Sequence, residues 1–422
     1  MSPEPLAILT SDWHLATSTW KWRSSLCGDA LFGLDQIVEL ARNRNLPILA
    51  AGDLFSSKEP RLDILLQTHR RLAETYGIYI QGNHEKRTPA WMELVAPHWH
   101  SLERQPIRLD VSGAGTESKW CHDLPEEIPP LFESSRAWKV FGLDFRLTPA
   151  ELAEQMTQLE AIARLESENA KILVLHQACD LFVPKEQAEL TDGIVPDCFD
   201  LVVVGHIHIA RSGIIRTQNG RPIPCLSPGG THLCSIDEQP TKKMYLLLSD
   251  GSVRSIPLLA RRILRCDFSG MTDTEIRVTA GTILATIQSG KSRPATIAVP
   301  ILQVFLDHAT SPHLRTILES ELGDQVHLFY KRTVSGQQES ELYSDEELDL
   351  TDRTEHGLLF AREIFPRYEP NETVRQLVET LLDREPSQEL YNRLKTNYLE
   401  RYHAANHTNQ AGELLPTRAA RT

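Results

Sequence analysis

The sequence feature that most constrains the fold is an apolar run, 201–204, that leads directly into Gly205-His206-Ile207-His208. The run is a leucine followed by three valines, which is typical of a buried β-strand. Side chains two positions apart in an extended segment point to the same side, so His206 and His208 project together from the strand end. Imidazoles presented in this way are suited to divalent metal ions. A pair of surface histidines in a loop is the alternative interpretation.

Four other apolar runs also lead into residue types that bind metals, and this recurrence favours the metal site. The runs cover residues 6–9, 46–51, 78–81 and 171–175. Any one of these motifs occurs by chance, whereas five in succession predict a common site. The residues that follow the four runs are Asp12, His14, Asp53, Asn83, His84 and His176.

Apolar stripes at helical spacing alternate with the strand-like runs, for example in residues 30–43 and 152–167. This alternation indicates an α/β fold. In open α/β sheets, ligands bind at the carboxyl ends of the strands, and every motif above follows such an end. We therefore expect the motifs to meet at one edge, although the order of the strands cannot be read from the sequence.

The metal-binding motifs stop near residue 262, where a second set of strand-like and helical stretches begins. Two amphipathic helical stripes follow in the last part of the chain, separated by Pro386 and Ser387. This organisation predicts three domains. They are residues 1–260, which carry the metal motifs, a smaller α/β cap at 261–365, and a helical, partner-binding tail at 366–422.

Composition places few further limits on function. The 422 residues carry a net charge of −13, which argues against nonspecific coating of nucleic acid by the whole surface. No apolar stretch approaches the roughly 20 residues of a membrane span, and the first run is too short for a signal peptide. We therefore expect a cytoplasmic protein without a membrane partner. The seven cysteines are scattered and form no C-x-x-C pair, which indicates reduced, mostly buried thiols.

The eight predicted site residues are histidines, aspartates and one asparagine, without cysteine. Such a set suits a hydrolytic pair of ions such as Mn²⁺ better than structural zinc. Two ions about 3.5–4 Å apart can bridge a phosphate group and stabilise both its attacking and its leaving oxygen. Two divalent cations also exceed the charge of two carboxylates, so the site attracts an anionic substrate.

Over residues 5–235, the five motifs resemble those of the calcineurin-like metallophosphoesterases. More narrowly, the chain resembles the SbcD-type nuclease subunits of DNA-repair complexes. The closer resemblance rests on Gly52-Asp53-Leu54-Phe55, on Ser227-Pro228-Gly229-Gly230-Thr231, and on the layout of cap and tail. It implies a two-sheet sandwich flanked by helices, a smaller α/β cap and a helical C-terminal tail.

The resemblance also implies a role for each site residue and a DNA exonuclease or endonuclease activity with two divalent ions, Mn²⁺ or alternatively Mg²⁺. His84 would orient the phosphate or protonate the leaving oxygen. One ion would be held by Asp12, His14, Asp53 and His208. The other would be held by Asp53, Asn83, His176 and His206, so that Asp53 bridges the two ions.

Candidate DNA contacts lie beside the motifs. Lys21, Trp22 and Arg23 interleave aromatic and cationic side chains, which can stack on bases and contact phosphates. An ordinary amphipathic loop is the alternative interpretation for these three residues. Lys86 and Arg87 follow the Asn-His motif, and for them solvated surface charge is the alternative. His232 is a further candidate for substrate contact. Related repair nucleases often carry a second histidine three residues after the bridging aspartate, where this chain has Ser56.

The tail stripes suit docking on a partner helix pair, and the resemblance implies an SbcC-like ATPase of the SMC type and a homodimer. Packing of the tail on the cap of the same chain is the alternative. Two other functions remain open. The first is a phosphatase or small-molecule phosphodiesterase with the same metals, and the second is a non-catalytic scaffold that retains the fold.

Overall fold

The computed structural model describes residues 3–16, 26–103, 105–109, 126–128, 131, 137–166, 170–239, 241–290, 293–307 and 309–332. The chain divides into two compact units, residues 1–343 and 344–422, and all the described residues belong to the first. The predicted DNA contacts Lys21, Trp22 and Arg23 and the predicted helical tail lie outside the described residues. The predicted domain boundaries therefore stay predictions.

The described residues form strands and helices, which alternate up to Ser101 and again from Ile263 onward, with runs of successive strands between. The strands are β1 (Pro5–Thr10), β2 (Ile48–Ala51), β3 (Gly77–Ile80), β4 (His100–Ser101), β5 (Ile107–Leu109), β6 (Glu126–Ile128), β7 (Trp138–Leu143), β8 (Ala170–Leu175), β9 (Leu201–Val204), β10 (Arg211–Arg216), β11 (Pro222–Ser227), β12 (Lys242–Leu248), β13 (Val253–Leu258), β14 (Ile263–Asp267), β15 (Ile301–Leu306) and β16 (His327–Arg332). The α-helices are α1 (Asp29–Arg44), α2 (Leu62–Leu72), α3 (Trp91–Val95), α4 (Pro149–Leu165), α5 (Asp273–Ser289) and α6 (Leu314–Leu322).

Two mixed sheets form the larger part of the fold. The first has the order β4-β3-β2-β1-β12-β13-β6, and its strands β1 to β4 are parallel. The second has the order β10-β11-β9-β8-β7-β5, and its strands β7, β8, β9 and β11 are parallel. Five of these parallel strands, β1, β2, β3, β8 and β9, carry the predicted metal motifs at their carboxyl ends.

The two sheets share one hydrophobic core. Side chains alternate between the faces of a strand, so Ala7 and Leu9 of β1 join the same buried cluster as Val174 of β8 and Val203 of β9. Ile8, between the two inward residues, packs with helices α1 to α3 on the outer face of the first sheet. These shared contacts confirm the α/β class and are compatible with the predicted two-sheet sandwich.

The outer face of the second sheet is covered by α4. Its start is specified locally, because Thr148 and Glu151 form a capping box and Pro149 occupies the first helical position. Its buried side chains, including Leu152 and Met156, then lie on one face. The same apolar periodicity that predicts this helix therefore places it on the sheet.

A third, smaller sheet of parallel strands β14, β15 and β16 forms with α5 and α6 what we call the small module, residues 263–332. The helices cover one face of this sheet, where Leu302 and Val304 pack against Ile276 and Ile317. The opposite face meets the loop between β11 and β12, residues 228–241, which we call the β11–β12 loop. Ile263 and Phe329 of that face contact Leu233 and Ile236 of the loop.

One strand of the second sheet, β11, differs from the sequence-based expectation. Residues 225–231 read as a tight turn, but Cys225 to Ser227 end strand β11, and only the following residues turn. Pro222 and Pro224 obscure this strand in the sequence. They are tolerated because β9 pairs only with Cys225 and Leu226, so that the prolines lie where β11 pairs with β10 alone.

A buried ion pair links α1 to the segment that enters the small module. The guanidinium of Arg261 donates to both carboxylate oxygens of Asp29, at 2.6 and 2.9 Å, and both side chains are 2% exposed. Arg261 also donates to the carbonyl oxygens of Thr296 and Val299. The pair therefore ties residues near the start of the chain to the small module.

Replacing Asp29 with alanine is expected to lower the free energy of unfolding by about 3–5 kcal/mol, because it leaves the Arg261 charge buried without its partner. The midpoint of urea denaturation measures this loss. Asp35→Ala is the matched control, since Asp35 pairs with Arg71 at the surface, where ion pairs contribute about 0–1 kcal/mol. Equal losses for the two variants would show that the buried pair is not a special anchor.

Among the described residues, no helix is both long and apolar enough to serve as a membrane span. The six cysteines that the structure describes are free thiols, and Cys179 and Cys225 are buried. Cys121 lies outside the described residues.

Candidate metal centre

The structure brings all eight predicted site residues to one place, where the carboxyl ends of the two sheets meet. Asp12 and His14 follow β1, Asp53 follows β2, and Asn83 and His84 follow β3. From the second sheet, His176 follows β8, and His206 and His208 follow β9. The convergence expected from the five motifs is therefore present in the fold.

The backbone of the site is held in unusual conformations. Within the described ranges, five residues other than glycine have a positive φ, and four of them are predicted ligands: Asp12 (49°), His14 (41°), Asp53 (50°) and His206 (77°). The fifth, Asn45, ends helix α1. Such conformations cost about 1–3 kcal/mol each and cluster at functional sites. The strain aims these four side chains into the cluster.

Two glycines allow this close approach of strand ends. Gly52 has a φ of +86°, which side chains rarely tolerate. A Cβ on Gly205 would overlap the carbonyl oxygen of Ala51 and would lie 2.6 Å from His176 Nδ1. The glycines that precede Asp53 and His206 are therefore needed for backbone contact between the two sheets.

The carboxylate of Asp53 lies at the centre of the cluster. Its Oδ2 is 3.5 Å from His14 Nε2 and 3.3 Å from His176 Nε2. Its Oδ1 accepts a hydrogen bond from the backbone N–H of His84 at 3.1 Å. His14 and His176 belong to the two different predicted ligand sets, so this carboxylate lies where the two sets meet.

The other ligand atoms approach one another at similar distances. His14 Nε2 is 2.9 Å from His208 Nε2, and Asn83 Oδ1 is 3.0 Å from His206 Nδ1 and 3.2 Å from His176 Nε2. Atoms that each lie about 2.0–2.2 Å from one ion are themselves about 3 Å apart. Among the residues that the structure describes, three groups contain candidate ligand atoms that all lie within 4.8 Å of one another. They are Asp53, His176 and His206, then His14, Asp53 and His84, and finally His14, His208 and Cys234.

The carboxylate of Asp12 shows that these residues fit a cation. Its Oδ1 accepts the backbone N–H of His206 at 3.1 Å. Its Oδ2 is buried and has no hydrogen-bond partner among the described residues. A buried carboxylate oxygen without a partner is costly, and a metal ion would satisfy it. The buried histidine and aspartate groups could therefore hold a metal ion.

Hydrogen bonds outside the cluster orient two of the imidazoles. The Nδ1–H of His176 donates to the carbonyl oxygen of Ala51 at 2.8 Å, and that of His208 donates to Glu238 Oε1 at 2.8 Å. Each bond leaves Nε2 directed at the cluster with its lone pair, as metal-binding histidines require.

Burial and charge perturb the titration of the cluster. Burial alone would raise the pKa of Asp53, but the charges of His176 and His14 hold it below its ordinary value. Burial would lower the pKa of His176, yet the Asp53 carboxylate raises it to about 9. Burial also takes the pKa of His14 well below its ordinary value. Protons and a metal ion therefore compete for the same lone pairs.

His84 differs from the ligands because it faces outward. Its side chain is 45% exposed, and its Nε2 lies 3.9 Å from Asp53 Oδ2. Its Nδ1–H donates to the carbonyl oxygen of Ser56 at 3.1 Å. Ser56 also donates through Oγ to the carbonyl oxygen of His14 at 2.5 Å. Ser56 therefore links the segments that follow β1 and β3 and carry His14 and His84.

The structure also describes two of the predicted DNA contacts and the further candidate His232. Lys86 donates to the carbonyl oxygen of Phe145, and the Arg87 guanidinium lies 4.1 Å above the centre of the Trp91 ring. Both side chains lie beside the turn that carries Asn83 and His84. His232 is only 2% exposed, so burial removes it from the solvent that a substrate would enter.

Sequence reasoning missed four residues at the site. Glu238 supports His208, and the Cys234 thiol lies in one of the ligand groups. The ring of Phe145 stacks on His206 with ring centroids 6.0 Å apart. Glu85 closes the turn after β3 by accepting the Gly82 N–H at 2.8 Å, a role that its position three residues after glycine could have indicated. The other three carry no local signal.

Supplying Mn²⁺ is expected to raise the melting temperature, and adding a chelator should reverse the rise, because an ion that binds only the folded chain stabilises it. At 100 times the dissociation constant, the gain is about 2.7 kcal/mol. Differential scanning fluorimetry measures it, and Asp12→Asn serves as the control that should respond less. A melting temperature that changes with neither Mn²⁺ nor chelator would contradict a metal centre here.

No family model and no curated protein matches the chain. The site combines buried carboxylates and imidazoles and the half-buried amide of Asn83 around Asp53 with an exposed imidazole, His84, at its rim. Such an arrangement can bind cations and present a proton donor to an anion held beside them.

Proposed function

We propose that the protein is a metal-dependent DNA nuclease that hydrolyses phosphodiester bonds with two divalent ions. The observation that carries the proposal is the position of Asp53, whose Oδ2 lies 3.3–3.5 Å from a histidine of each predicted ligand set. One carboxylate between two groups of ligands is what a pair of adjacent ions needs. The resemblance to the calcineurin-like metallophosphoesterases and the SbcD-type nucleases supports the same activity.

The two ions would be Mn²⁺, with Mg²⁺ as the alternative, held by the two residue sets that share Asp53. When bound, they would neutralise phosphate charge and activate water for attack on phosphorus. Mn²⁺ suits nitrogen and oxygen ligands together, whereas Mg²⁺ is usually bound through oxygen. The predominance of imidazole in this site favours Mn²⁺.

The remaining chemistry falls to His84. In hydrolysis, one P–O bond forms from water, the P–O bond to the leaving oxygen breaks, and the leaving oxygen takes up a proton. His84 is exposed, and its Nδ1–H is committed to Ser56, so its Nε2 is the atom that faces an incoming phosphate. Nε2 donates a proton only from the imidazolium form, in which both ring nitrogens carry a proton. We assign it to orienting the phosphate and protonating the leaving oxygen.

DNA as the substrate is supported by the small module and by the basic residues near the site. One domain of about 250 residues suffices for a phosphatase site, whereas this chain carries a second folded module beside it. Lys86 and Arg87 directly follow the turn that carries His84. We assign these two residues, together with Lys21, Trp22 and Arg23, to contacts with DNA.

Incubating the full chain with linear duplex and single-stranded DNA and Mn²⁺ tests the activity. We expect release of nucleotides that stops with chelator and is lost in the Asp53→Asn variant. Hydrolysis of nitrophenyl phosphate esters or cyclic nucleotides, with DNA left intact, would instead support a phosphatase or small-molecule phosphodiesterase. Failure to bind Mn²⁺ at all would support a scaffold without catalysis.

We further propose that residues 366–422 bind an SbcC-like ATPase of the SMC type and that the protein acts as a homodimer in DNA-end processing. A pull-down with the full chain and with a chain that ends near residue 370 tests the first part. We expect recovery of an SMC-like ATPase with the full chain only. Recovery with both chains would exclude the tail as the docking element, and sedimentation analysis tests the dimer.

A further inference from the structure

The β11–β12 loop lies between the metal centre and the small module and contacts both. On one side, Glu238 accepts the Nδ1–H of the predicted ligand His208 at 2.8 Å. On the other side, the loop packs against the sheet face of the small module through Leu233 and Ile236. A single short segment thus touches a metal ligand and a separate folded unit.

The Glu238 carboxylate is fully engaged in holding His208. Its Oε2 accepts from Lys242 Nζ at 2.6 Å and from the backbone N–H of Cys234 at 3.3 Å. Lys242 is buried, with 2% of its side chain exposed, and also donates to the carbonyl oxygen of His208 at 3.3 Å. Both the imidazole and the backbone of His208 are therefore held by this pair of charges.

The small module holds the same loop by its polar side chains. Arg265 donates to the carbonyl oxygens of Ile236 and Glu238 at 3.1 and 3.2 Å. Lys331 and Gln303 both donate to Asp237 Oδ1, at 3.1 and 3.5 Å. Arg265, Gln303 and Lys331 project from one face of strands β14, β15 and β16. The register of the strands places them on the same face as Ile263 and Phe329.

We propose that the small module controls the metal centre through the β11–β12 loop, with Glu238 as the positioning residue for His208. The inference rests on the proposed metal centre. A shift of the module would move the loop backbone at Ile236 and Glu238, and with it the carboxylate that orients His208. A carboxylate that supports a metal-binding histidine typically changes metal affinity by about 10–100-fold when it is removed.

The first test is the affinity for Mn²⁺ of full-length Glu238→Gln, measured from the electron paramagnetic resonance signal of the free ion. We expect a loss of about 10–100-fold with the fold retained, because the amide keeps the shape and loses the charge. Glu238→Asp should recover part of the affinity. The absorption spectrum of bound Co²⁺ should also change in Glu238→Gln, since the orientation of one ligand differs.

The second test moves to the small module. The double variant Arg265→Ala/Lys331→Ala should also weaken Mn²⁺ binding, although neither residue contacts a predicted ligand. Arg277→Ala/Arg315→Ala is the matched control, because it removes two arginines from α5 and α6, where they pair with Glu321 and Glu319. We expect the control to bind Mn²⁺ like the wild type.

Unchanged Mn²⁺ affinity and an unchanged Co²⁺ spectrum in Glu238→Gln would overturn the role of Glu238. Equal losses in the Arg265/Lys331 variant and in its control would overturn the coupling to the module. These readouts are separate from nuclease activity. If the wild type binds Mn²⁺ more tightly than Glu238→Gln does but leaves DNA intact, the proposed nuclease activity is disproved and this inference still stands.

Discussion

Replacing Asp53 with asparagine is expected to abolish DNA hydrolysis and to weaken Mn²⁺ binding by more than about 100-fold. Removing a group that only supports a metal ligand costs up to about 100-fold in affinity, and loss of a ligand itself should cost more. The physical reason is that Asp53 supplies the negative charge between two groups of imidazoles, with Oδ2 at 3.5 Å from His14 Nε2 and 3.3 Å from His176 Nε2. An amide has nearly the same shape, so the effect reports charge and ligand chemistry rather than packing.

Isothermal titration with Mn²⁺ and a nuclease assay on linear DNA measure the two losses. Asp144→Asn is the matched control. Asp144 is also a buried carboxylate near the site, with a pKa raised to about 6 by burial, but it accepts from Gln81 and contacts no predicted ligand. Retained activity in Asp53→Asn, or an equal loss of Mn²⁺ affinity in Asp144→Asn, would contradict the bridging role.

The second large effect is expected at His84. Replacing it with glutamine should lower the rate of DNA hydrolysis by about 10²–10⁴-fold, the usual contribution of a positioned acid or base. Mn²⁺ affinity should stay unchanged, because the side chain is 45% exposed and its Nδ1–H already donates to Ser56. Loss of rate without loss of metal separates a catalytic residue from a ligand.

Single-turnover rates at saturating Mn²⁺, together with the metal titration, distinguish these outcomes. His100→Gln is the control, since His100 lies in strand β4 and bonds the carbonyl oxygen of Gln105. A parallel fall in rate and metal affinity in His84→Gln would make His84 a ligand, in line with its place in one of the ligand groups. An unchanged rate would remove it from the mechanism.

The sequence predicts the identity of the candidate site well, because its signals are local. An apolar run gives a buried strand, and the polar residues just beyond it lie at the strand end, as for His176 after β8. Alternation within the strand also fixes which side chains share a face, as for His206 and His208. These rules need no knowledge of neighbouring strands.

Other parts of the site depend on contacts that no local pattern encodes. Glu238 lies 30 residues after His208, on a loop without periodicity, and reaches it only because Lys242 and the small module hold the loop. Phe145 lies against His206 because β7 and β9 flank β8, an order that periodicity cannot give. His232 follows a motif of the site in the sequence, which made it a candidate for substrate contact, but its side chain is buried.

By itself, then, the amino-acid sequence determined which residues are candidate ligands, which of the segments that lead into them are strands, and which face of the amphipathic helices is apolar. The tertiary structure alone decided the order of the strands, the meeting of the two sheets at Asp53, and the contact between the β11–β12 loop and the small module. The reason is physical. Local backbone geometry depends on a few adjacent residues, whereas the pairing of distant segments depends on the summed burial of side chains from both partners.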